Sequence, residues 1–252
     1  MNEILRLEKV NKHFGGLHAT NDVTFSVKTG QVTGLIGPNG AGKSTLMNLI
    51  SGISIQDSGK IFFDNEDISQ LPPYTRARMG IGRTFQTPRF LQRSNIRDNL
   101  MLGTDLAEQK GHLRSFFSKR SSNFETELER YMKVVGFEID LDNDITSLTF
   151  GQQKLLEIVR SMLGRPRVIL VDEPAAGLNS KEIEDAMALL NIAAQEYCMG
   201  VLLIEHSMDM IMNICKEIVV INFGQIIATG SCQEISSNEE VISAYLGKDN
   251  DD

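Results

Sequence analysis

The chain has 252 residues, of which 41% are hydrophobic, and it carries a formal net charge of −8 at pH 7. This length supplies enough apolar side chains for one large core. The acidic balance argues against a nucleic-acid partner, because such a partner requires a surplus of Lys and Arg on one face. No apolar run approaches the ~20 residues that span a bilayer, and the three cysteines, which form no C-x-x-C pair, indicate reduced cytosolic thiols.

The N-terminal part of the chain alternates apolar and polar residues as β-strands do. Strands are predicted from Ile4 to Val10, from Val23 to Val27 and from Lys60 to Phe63, which indicates a small antiparallel lobe. Leu71-Pro72-Pro73 is expected to block a helix before a short strand at Gly80 to Phe85.

From about Thr87 to Gly164 the apolar residues recur at helical spacing. Helices are predicted at Ile96 to Leu102, Phe124 to Val135 and Gln152 to Leu163, which indicates an inserted helical lobe. The basic stretch from Lys110 to Arg120 is typical of a solvated hairpin between helices, and a surface facing a membrane or a permease is the alternative.

After Pro166 the chain alternates strands and helices in the rhythm of a parallel sheet. The predicted elements are strands at 168–171 and 200–204, helices at 181–194 and 207–214, strands at 217–221 and 225–228, and a last helix at 239–246. The acidic tail at 248–252 is expected to fray.

The most specific motif is a glycine-rich turn between an apolar strand and a helix. Its glycines let backbone N–H groups point toward one place, the helix adds its positive dipole end, Lys43 supplies a cation, and Ser44 supplies a hydroxyl for Mg²⁺. The turn therefore predicts a cradle for the triphosphate of a nucleotide, formed by Gly37, Pro38, Asn39, Gly40, Ala41, Gly42, Lys43, Ser44 and Thr45.

Two adjacent acids, Asp172 and Glu173, follow the buried strand pattern at 168–171. Open parallel sheets bind ligands at the carboxyl ends of their strands. Asp172 is predicted to hold the Mg²⁺ shell, and Glu173 to orient or deprotonate the water that attacks the γ-phosphate. Acids in such places also act as plain loop caps, but the cradle favours the catalytic interpretation.

With these motifs the chain resembles the nucleotide-binding subunit of ABC transporters over nearly its whole length. The resemblance implies an α/β fold with a RecA-like P-loop core, a small antiparallel β lobe and an inserted α-helical lobe. It implies one cassette at 1–252, with the core and β lobe at 1–86 and 165–252 and the helical signature lobe at 87–164.

The resemblance also assigns roles to three single residues. Phe14 resembles the aromatic residue on which adenine stacks, and Gln86 the glutamine that senses Mg²⁺ and the attacking water. His206 stands where the family has its switch histidine, and from the end of a strand it is expected to contact the γ-phosphate and hold transition-state charge.

Leu148-Thr149-Phe150-Gly151-Gln152 stands where the family has its Leu-Ser-Gly-Gly-Gln signature. The resemblance implies that Thr149, Gly151 and Gln152 complete the ATP site of an opposite subunit. The Thr149 hydroxyl and the following helix N-terminus suit a phosphate, although an ordinary helix cap has the same pattern. Phe150 adds bulk to the signature, and Asn179 replaces the aspartate of the family's D-loop; either change is expected to lower the intrinsic rate.

Four longer matches resemble the LivG-type ATP-binding subunits of branched-chain amino acid importers: 82–88, 150–153 together with 156–158, 172–179, and 244–247. This resemblance implies as partners a second cassette, identical or a sister subunit, two transmembrane permeases and, indirectly, a periplasmic or extracellular substrate-binding protein. It places the chain on the cytoplasmic face of the cell membrane. The alternatives are an importer of urea or short amides, a soluble ABC-type ATPase, and a nucleotide-binding regulator.

Overall fold

The computed structural model describes residues 2–108 and 122–246. The predicted hairpin at 110–120, the tail at 248–252 and Gly247 of the last sequence match lie outside the described residues. The described strands are β1 (Glu3–Phe14), β2 (Leu17–Lys28), β3 (Gln31–Ile36), β4 (Ser58–Phe63), β5 (Glu66–Asp67), β6 (Ile81–Arg83), β7 (Val168–Asp172), β8 (Gly200–Ile204), β9 (Cys215–Asn222) and β10 (Gln225–Gly230).

The helices lie between these strands and after them. They are α1 (Lys43–Ser51), α2 (Pro73–Met79), α3 (Ile96–Glu108), α4 (Ser122–Val135), α5 (Phe150–Leu163), α6 (Ser180–Gln195), α7 (Met208–Ile214), α8 (Cys232–Ser236) and α9 (Glu239–Leu246). In the part of the chain that the structure describes, no helix has the length and apolar character needed to cross a bilayer.

The strands form two sheets. The larger has the order β10-β9-β3-β8-β7-β6, with parallel pairing throughout except at the edge strand β10. The smaller is antiparallel, with the order β2-β1-β4-β5. Strands β3, β7 and β8 are buried along their whole length. This burial explains the continuous apolar runs at 168–171 and 201–204, whereas β3 also contains the buried polar residues Gln31 and Thr33.

Alternate residues of the parallel strands enter two different cores. Val171 and Leu203 point into a core shared with α5, α6 and α7, whereas Leu170 and Leu202 point into a core shared with α1 and the antiparallel sheet. The period of two residues along each strand therefore divides the apolar residues between the two faces. The parallel sheet forms the central layer of the molecule.

The predicted strands and helices within the described residues are confirmed, with shifts of a few residues at their ends. One expectation was wrong: the prolines at 72 and 73 do not block a helix. Pro72 occupies the N-cap position and Pro73 the first position of α2. A proline is tolerated at that position because the first N–H groups of a helix have no intrahelical partner.

Helix α2 carries Arg76, which is completely buried. Its guanidinium donates to the carbonyls of Leu49 and Ile50 at the end of α1, and to those of Ser69 and Leu71. The positive charge therefore sits at the negative dipole end of the helix that begins at the glycine-rich turn. Burial lowers the pKa of Arg76 to about 10.

We expect Arg76→Met to destabilise the protein by about 3 kcal/mol or more, because four carbonyls lose their donors in a buried position. Chemical denaturation measures the free energy of unfolding. The matched control is Arg78→Met on the same helix, where an exposed guanidinium lies over Tyr74, and we expect it to cost under about 1 kcal/mol. Equal losses in the two variants would contradict the role of Arg76.

Candidate functional site

The register of the parallel sheet brings three loops to one edge. Leu35 of β3 and Asp172 of β7 both pair with Ile204 of β8. The chain therefore leaves these three neighbouring strands at the same level. The glycine-rich turn, Glu173 and His206 follow directly after them, so the predicted groups meet where parallel sheets bind ligands.

The glycine-rich turn has a backbone that only glycine adopts easily. Gly42 has φ 108°, and a Cβ there would come within 2.4 Å of the Ala19 carbonyl oxygen. A Cβ at Gly37 would come within 2.0 Å of the Ile221 carbonyl oxygen. These two close approaches explain why glycine occupies both positions. Between them, Pro38, Asn39, Gly40 and Ala41 form the rest of the turn.

Lys43, Ser44 and Thr45 form the first turn of α1. The buried Lys43 ammonium donates to the carbonyls of Gly37 (2.8 Å) and Pro38 (3.0 Å), so it lies inside the turn. Burial lowers the pKa of Lys43, while the charges of Glu173 and Asp172 act in the opposite direction. A cation and several free N–H groups at a helix N-terminus are what binds a phosphate chain.

Glu173 is the centre of a second cluster. Its Oε2 accepts a hydrogen bond from Gln86 Nε2 at 2.6 Å, and its Oε1 lies 3.1 Å from Nε2 of His206. Because a carboxylate has no hydrogen to donate, this second contact assigns a proton to His206 Nε2. The structure thus brings together Gln86, Glu173 and His206, the three residues that were predicted to be catalytic. Glu173 also has a left-handed backbone, with φ 47°, which is unusual for a residue other than glycine.

Asp172 is buried beside an arginine. Its Oδ2 lies 3.6 Å from Arg83, and its backbone N–H donates to the Thr84 hydroxyl. Arg83 in turn donates to Asn48 and Ser51 of α1. Burial raises the pKa of Asp172, although Arg83 acts to lower it. This chain of contacts joins β6, β7 and the helix that follows the glycine-rich turn.

The signature residues form a helix cap. Thr149 is the N-cap of α5: its hydroxyl accepts from the Gln152 N–H, and the Gln152 side chain accepts from the Thr149 N–H. A Cβ at Gly151 would lie 2.2 Å from the Glu182 carboxylate, so that side chain closely covers the glycine. Among the described contacts, these residues make none with Gln86, Glu173 or His206. They form a separate group within one chain.

Phe14 ends β1 with half of its surface exposed, at 52%. Its ring is therefore not part of either core, and only Lys12 lies over it, at 5.5 Å, among the described cation–ring contacts. An exposed ring at the end of a strand is available for stacking.

Sequence reasoning missed two buried charges next to the catalytic cluster. The Glu205 carboxylate accepts from the backbone N–H groups of Ala175, His206 and Ser207. Lys154 of α5 donates to the Glu173 carbonyl. The signal for Lys154 was its spacing, because it lies four and eight residues before the buried Ile158 and Met162 and so shares their helix face. Glu205 had no such signal.

A groove of about 360 Å³ lies between the parallel sheet and the helical region. Its lining includes Ile53, Phe85, Leu102, Glu157 and Arg160. Burial raises the pKa of Glu157 to about 7, against the nearby charge of Arg160. The groove therefore combines apolar surface with one acid that titrates near neutral pH.

Comparison with known proteins identifies the family. The family model described as "ABC transporter" matches residues 20–176. The branched-chain amino acid transport ATP-binding protein BraF of Pseudomonas aeruginosa is 39% identical over 97% of this chain and 98% of its own length. The chain belongs to the ABC transporter family. It is the ATP-hydrolysing subunit of such a transporter, as the resemblance implied.

Three further comparisons agree with this family. A probable LivG protein of Methanocaldococcus jannaschii is 37% identical over 98% of each chain. A crystal structure of an ABC transporter cassette in its ADP conformation superposes with a TM-score of 0.83 at 33% identity, covering 98% of this chain and all of that one. The model "Branched-chain amino acid ATP-binding cassette transporter" matches residues 225–251. The expected ABC cassette fold is therefore confirmed.

Glu157 generates a prediction on pH. Its pKa in the folded chain, about 7, exceeds the ordinary 4.5, so the stability that its proton supplies is complete below pH 4.5 and is lost as the pH rises through about 7. The glutamine of Glu157→Gln stays neutral at every pH, so the variant does not lose stability by ionising a buried group. We therefore expect the free energy of unfolding of the variant, relative to that of the parent, to rise between pH 5 and pH 8 by an amount on the order of 3 kcal/mol.

Denaturation of parent and variant at several pH values measures this difference. Glu138→Gln, which changes an exposed glutamate, is the control and is expected to give a constant difference. A constant difference for Glu157→Gln as well would contradict the assignment.

Proposed function

We propose that this chain hydrolyses Mg-ATP at the interface of a cassette dimer and thereby drives the uptake of branched-chain amino acids. The catalytic part of this proposal rests on one observation: the side chains of Gln86 and His206 both contact the carboxylate of Glu173. That carboxylate lies at the sheet edge from which the phosphate cradle also projects.

Glu173 acts as the general base and takes a proton from the attacking water. Gln86 and His206 hold its two carboxylate oxygens from different sides, so the side chain is oriented before a water binds. When the nucleotide is present, the His206 Nε2–H is available to the γ-phosphate and stabilises charge that develops there. The three side chains thus position the water and the phosphate relative to one another.

The cradle at Gly37 to Thr45 binds the triphosphate with backbone N–H groups and with Lys43. The carbonyls of Gly37 and Pro38 hold the Lys43 ammonium in the cradle, and phosphate oxygens then replace them as partners. Ser44, Gln86 and Asp172 supply the oxygen ligands that Mg²⁺ prefers, which fits the metal. When bound, Mg²⁺ supplies positive charge that neutralises the phosphate oxygens.

The remaining site residues act at the two ends of the nucleotide. Phe14 stacks on adenine, for which its exposed ring is suited. Thr149, Gly151 and Gln152 complete the ATP site of a second cassette, which is a second copy or a sister subunit. A cassette of the same fold has been solved as a dimer in a post-hydrolysis state, bound to ADP and Pi.

The described part of the predicted helical lobe, at 87–108 and 122–164, transmits closure to two transmembrane permeases. The groove beside Phe85 and Leu102 offers them an apolar docking surface between this lobe and the core. The permeases hold the chain on the cytoplasmic side of the membrane, and they receive cargo from a substrate-binding protein outside it. Nothing in the described chain provides a site for the cargo, which the partners recognise.

The cargo is proposed from the relatives. BraF and the LivG proteins are named as branched-chain amino acid transport proteins. The C-terminal match at 225–251 belongs to the same class of transporter. These two observations support branched-chain amino acids over urea or short amides.

We expect Glu173→Gln to retain ATP binding within about threefold and to lose turnover by at least about 100-fold, because the base is replaced by a neutral amide of the same size. Phosphate release from the assembled transporter and nucleotide titration measure the two effects. Glu129→Gln, at an exposed position of α4, is the control that retains the parent rate. Turnover of Glu173→Gln at the parent rate would refute the assignment of the base.

A deletion strain tests the cargo. We expect uptake of labelled leucine to fall to background in the strain and to return with the parent gene but not with the Glu173→Gln gene, because transport needs hydrolysis. Labelled urea serves as the comparison substrate and is expected to enter at an unchanged rate. If the deletion strain lost urea uptake and kept normal leucine uptake, the proposed cargo would be wrong and urea would take its place.

A further inference from the structure

Lys154 is a buried cation that no motif of the family match explains. It lies in the second turn of α5 and is 4% exposed. Its ammonium donates to the Glu173 carbonyl at 2.8 Å and lies 3.4 Å from the Pro174 carbonyl. Its direct partners are thus two consecutive carbonyls of the catalytic loop.

Burying this ammonium is costly, because it loses water and gains no direct carboxylate partner among the described ion pairs. Burial lowers the pKa of Lys154, and the charges of Glu205 and Glu173 counteract the effect. An apolar side chain would fill the same space without the loss of hydration. An apolar residue could not make the two hydrogen bonds to the carbonyls of Glu173 and Pro174, so these bonds are what the lysine adds at this position.

The hydrogen bonds are made at a residue with a left-handed backbone. Glu173 has φ 47°, and its N–H donates to the Ile204 carbonyl at 2.9 Å. Lys154 binds the carbonyl of the same residue, so both polar groups of the Glu173 backbone are held by neighbouring elements. One neighbour is β8 and the other is α5. The direction of the Glu173 side chain follows from this backbone position.

A second contact joins the first turn of α5 to the same loop. The ring of Phe150 covers Gly177: a Cβ added there would lie 3.1 Å from the ring. The Lys154 ammonium lies 5.6 Å from the centre of that ring. The helix that begins at the Thr149 cap is therefore attached to the loop after β7 at two points.

We propose that Lys154 is a positioning residue for ATP hydrolysis: it holds the backbone of Glu173, so that the pose of the catalytic carboxylate follows the position of α5. The inference rests on the proposed role of Glu173 as the base. The hydrogen bond from Lys154 to the Glu173 carbonyl links α5, which begins with the signature group, to the hydrolytic group of the same chain.

The test replaces the ammonium by a side chain of similar length. For Lys154→Met in the assembled transporter we expect kcat to fall at least about tenfold while KM and the Kd for ATP stay within about twofold, since only the pose of the base is lost. Lys154→Arg keeps a cationic donor and is expected to recover kcat to within about threefold of the parent. Lys133→Met, at an exposed position of α4, controls for the loss of a lysine.

A double-variant cycle separates this role from general support of the fold. Because Lys154 acts through Glu173, we expect Lys154→Met to change the residual single-turnover rate of Glu173→Gln by less than about twofold. A full tenfold effect in that background would overturn the inference, as would unchanged kcat in Lys154→Met or a parallel rise in the Kd for ATP.

If Lys154→Met does not yield folded protein, Lys154→Gln replaces it, since its polar amide is tolerated better but is one bond shorter. It is expected to give the same loss of kcat, and parent kcat would overturn the inference. Parent turnover in Glu173→Gln alone is a different result: it refutes the proposed base, whatever the Lys154 variants do.

Discussion

The parallel pairing of β3, β8 and β7 is the constraint on which the candidate site depends. Leu35 and Asp172 align with the same residue, Ile204, so three chain segments far apart in sequence leave the sheet at one level. A shift of one residue in either pairing would turn the apolar side chains to the wrong core and separate the loops. The two buried cores that enforce this register therefore also set the distance between the phosphate cradle and the catalytic carboxylate.

The two departures from the family pattern belong to one contact surface. Asn179 caps α6 in a reciprocal box with Glu182, whose carboxylate closely covers Gly151. Phe150, next to that glycine, lies on Gly177. Gly177 belongs to the segment 176–179, which stands where the family has its D-loop. An aspartate would cap α6 equally well, so the asparagine keeps the local structure while it removes a charge. The signature turn and the D-loop consequently pack together as one unit, and the bulk of Phe150 is directed toward this chain's own loop.

Sequence reasoning located the features that consist of consecutive residues. The glycine-rich turn, the acids at 172 and 173 and the apolar strands carry their pattern locally. Helix α2 was missed because two prolines normally break helices, whereas here they begin one. Arg76 and Glu205 were missed for a different reason: a charged residue is buried only if tertiary partners satisfy it, and those partners are backbone groups that any sequence supplies. The contact of Gln86 with Glu173 needed the family resemblance, since 87 residues separate them.

The buried charges beneath the sheet edge explain how loops of irregular backbone form a defined site. Arg83 joins α1 to Asp172, Glu205 joins the loops after β7 and β8, and Lys154 joins α5 to Glu173. Each of these groups loses hydration, and apolar residues would cost less free energy. Apolar contacts have no direction, however, and cannot hold a backbone at φ 47° or fix one carbonyl relative to one helix. The directional bonds of these three side chains therefore give the edge its geometry, while the apolar cores below give it stability.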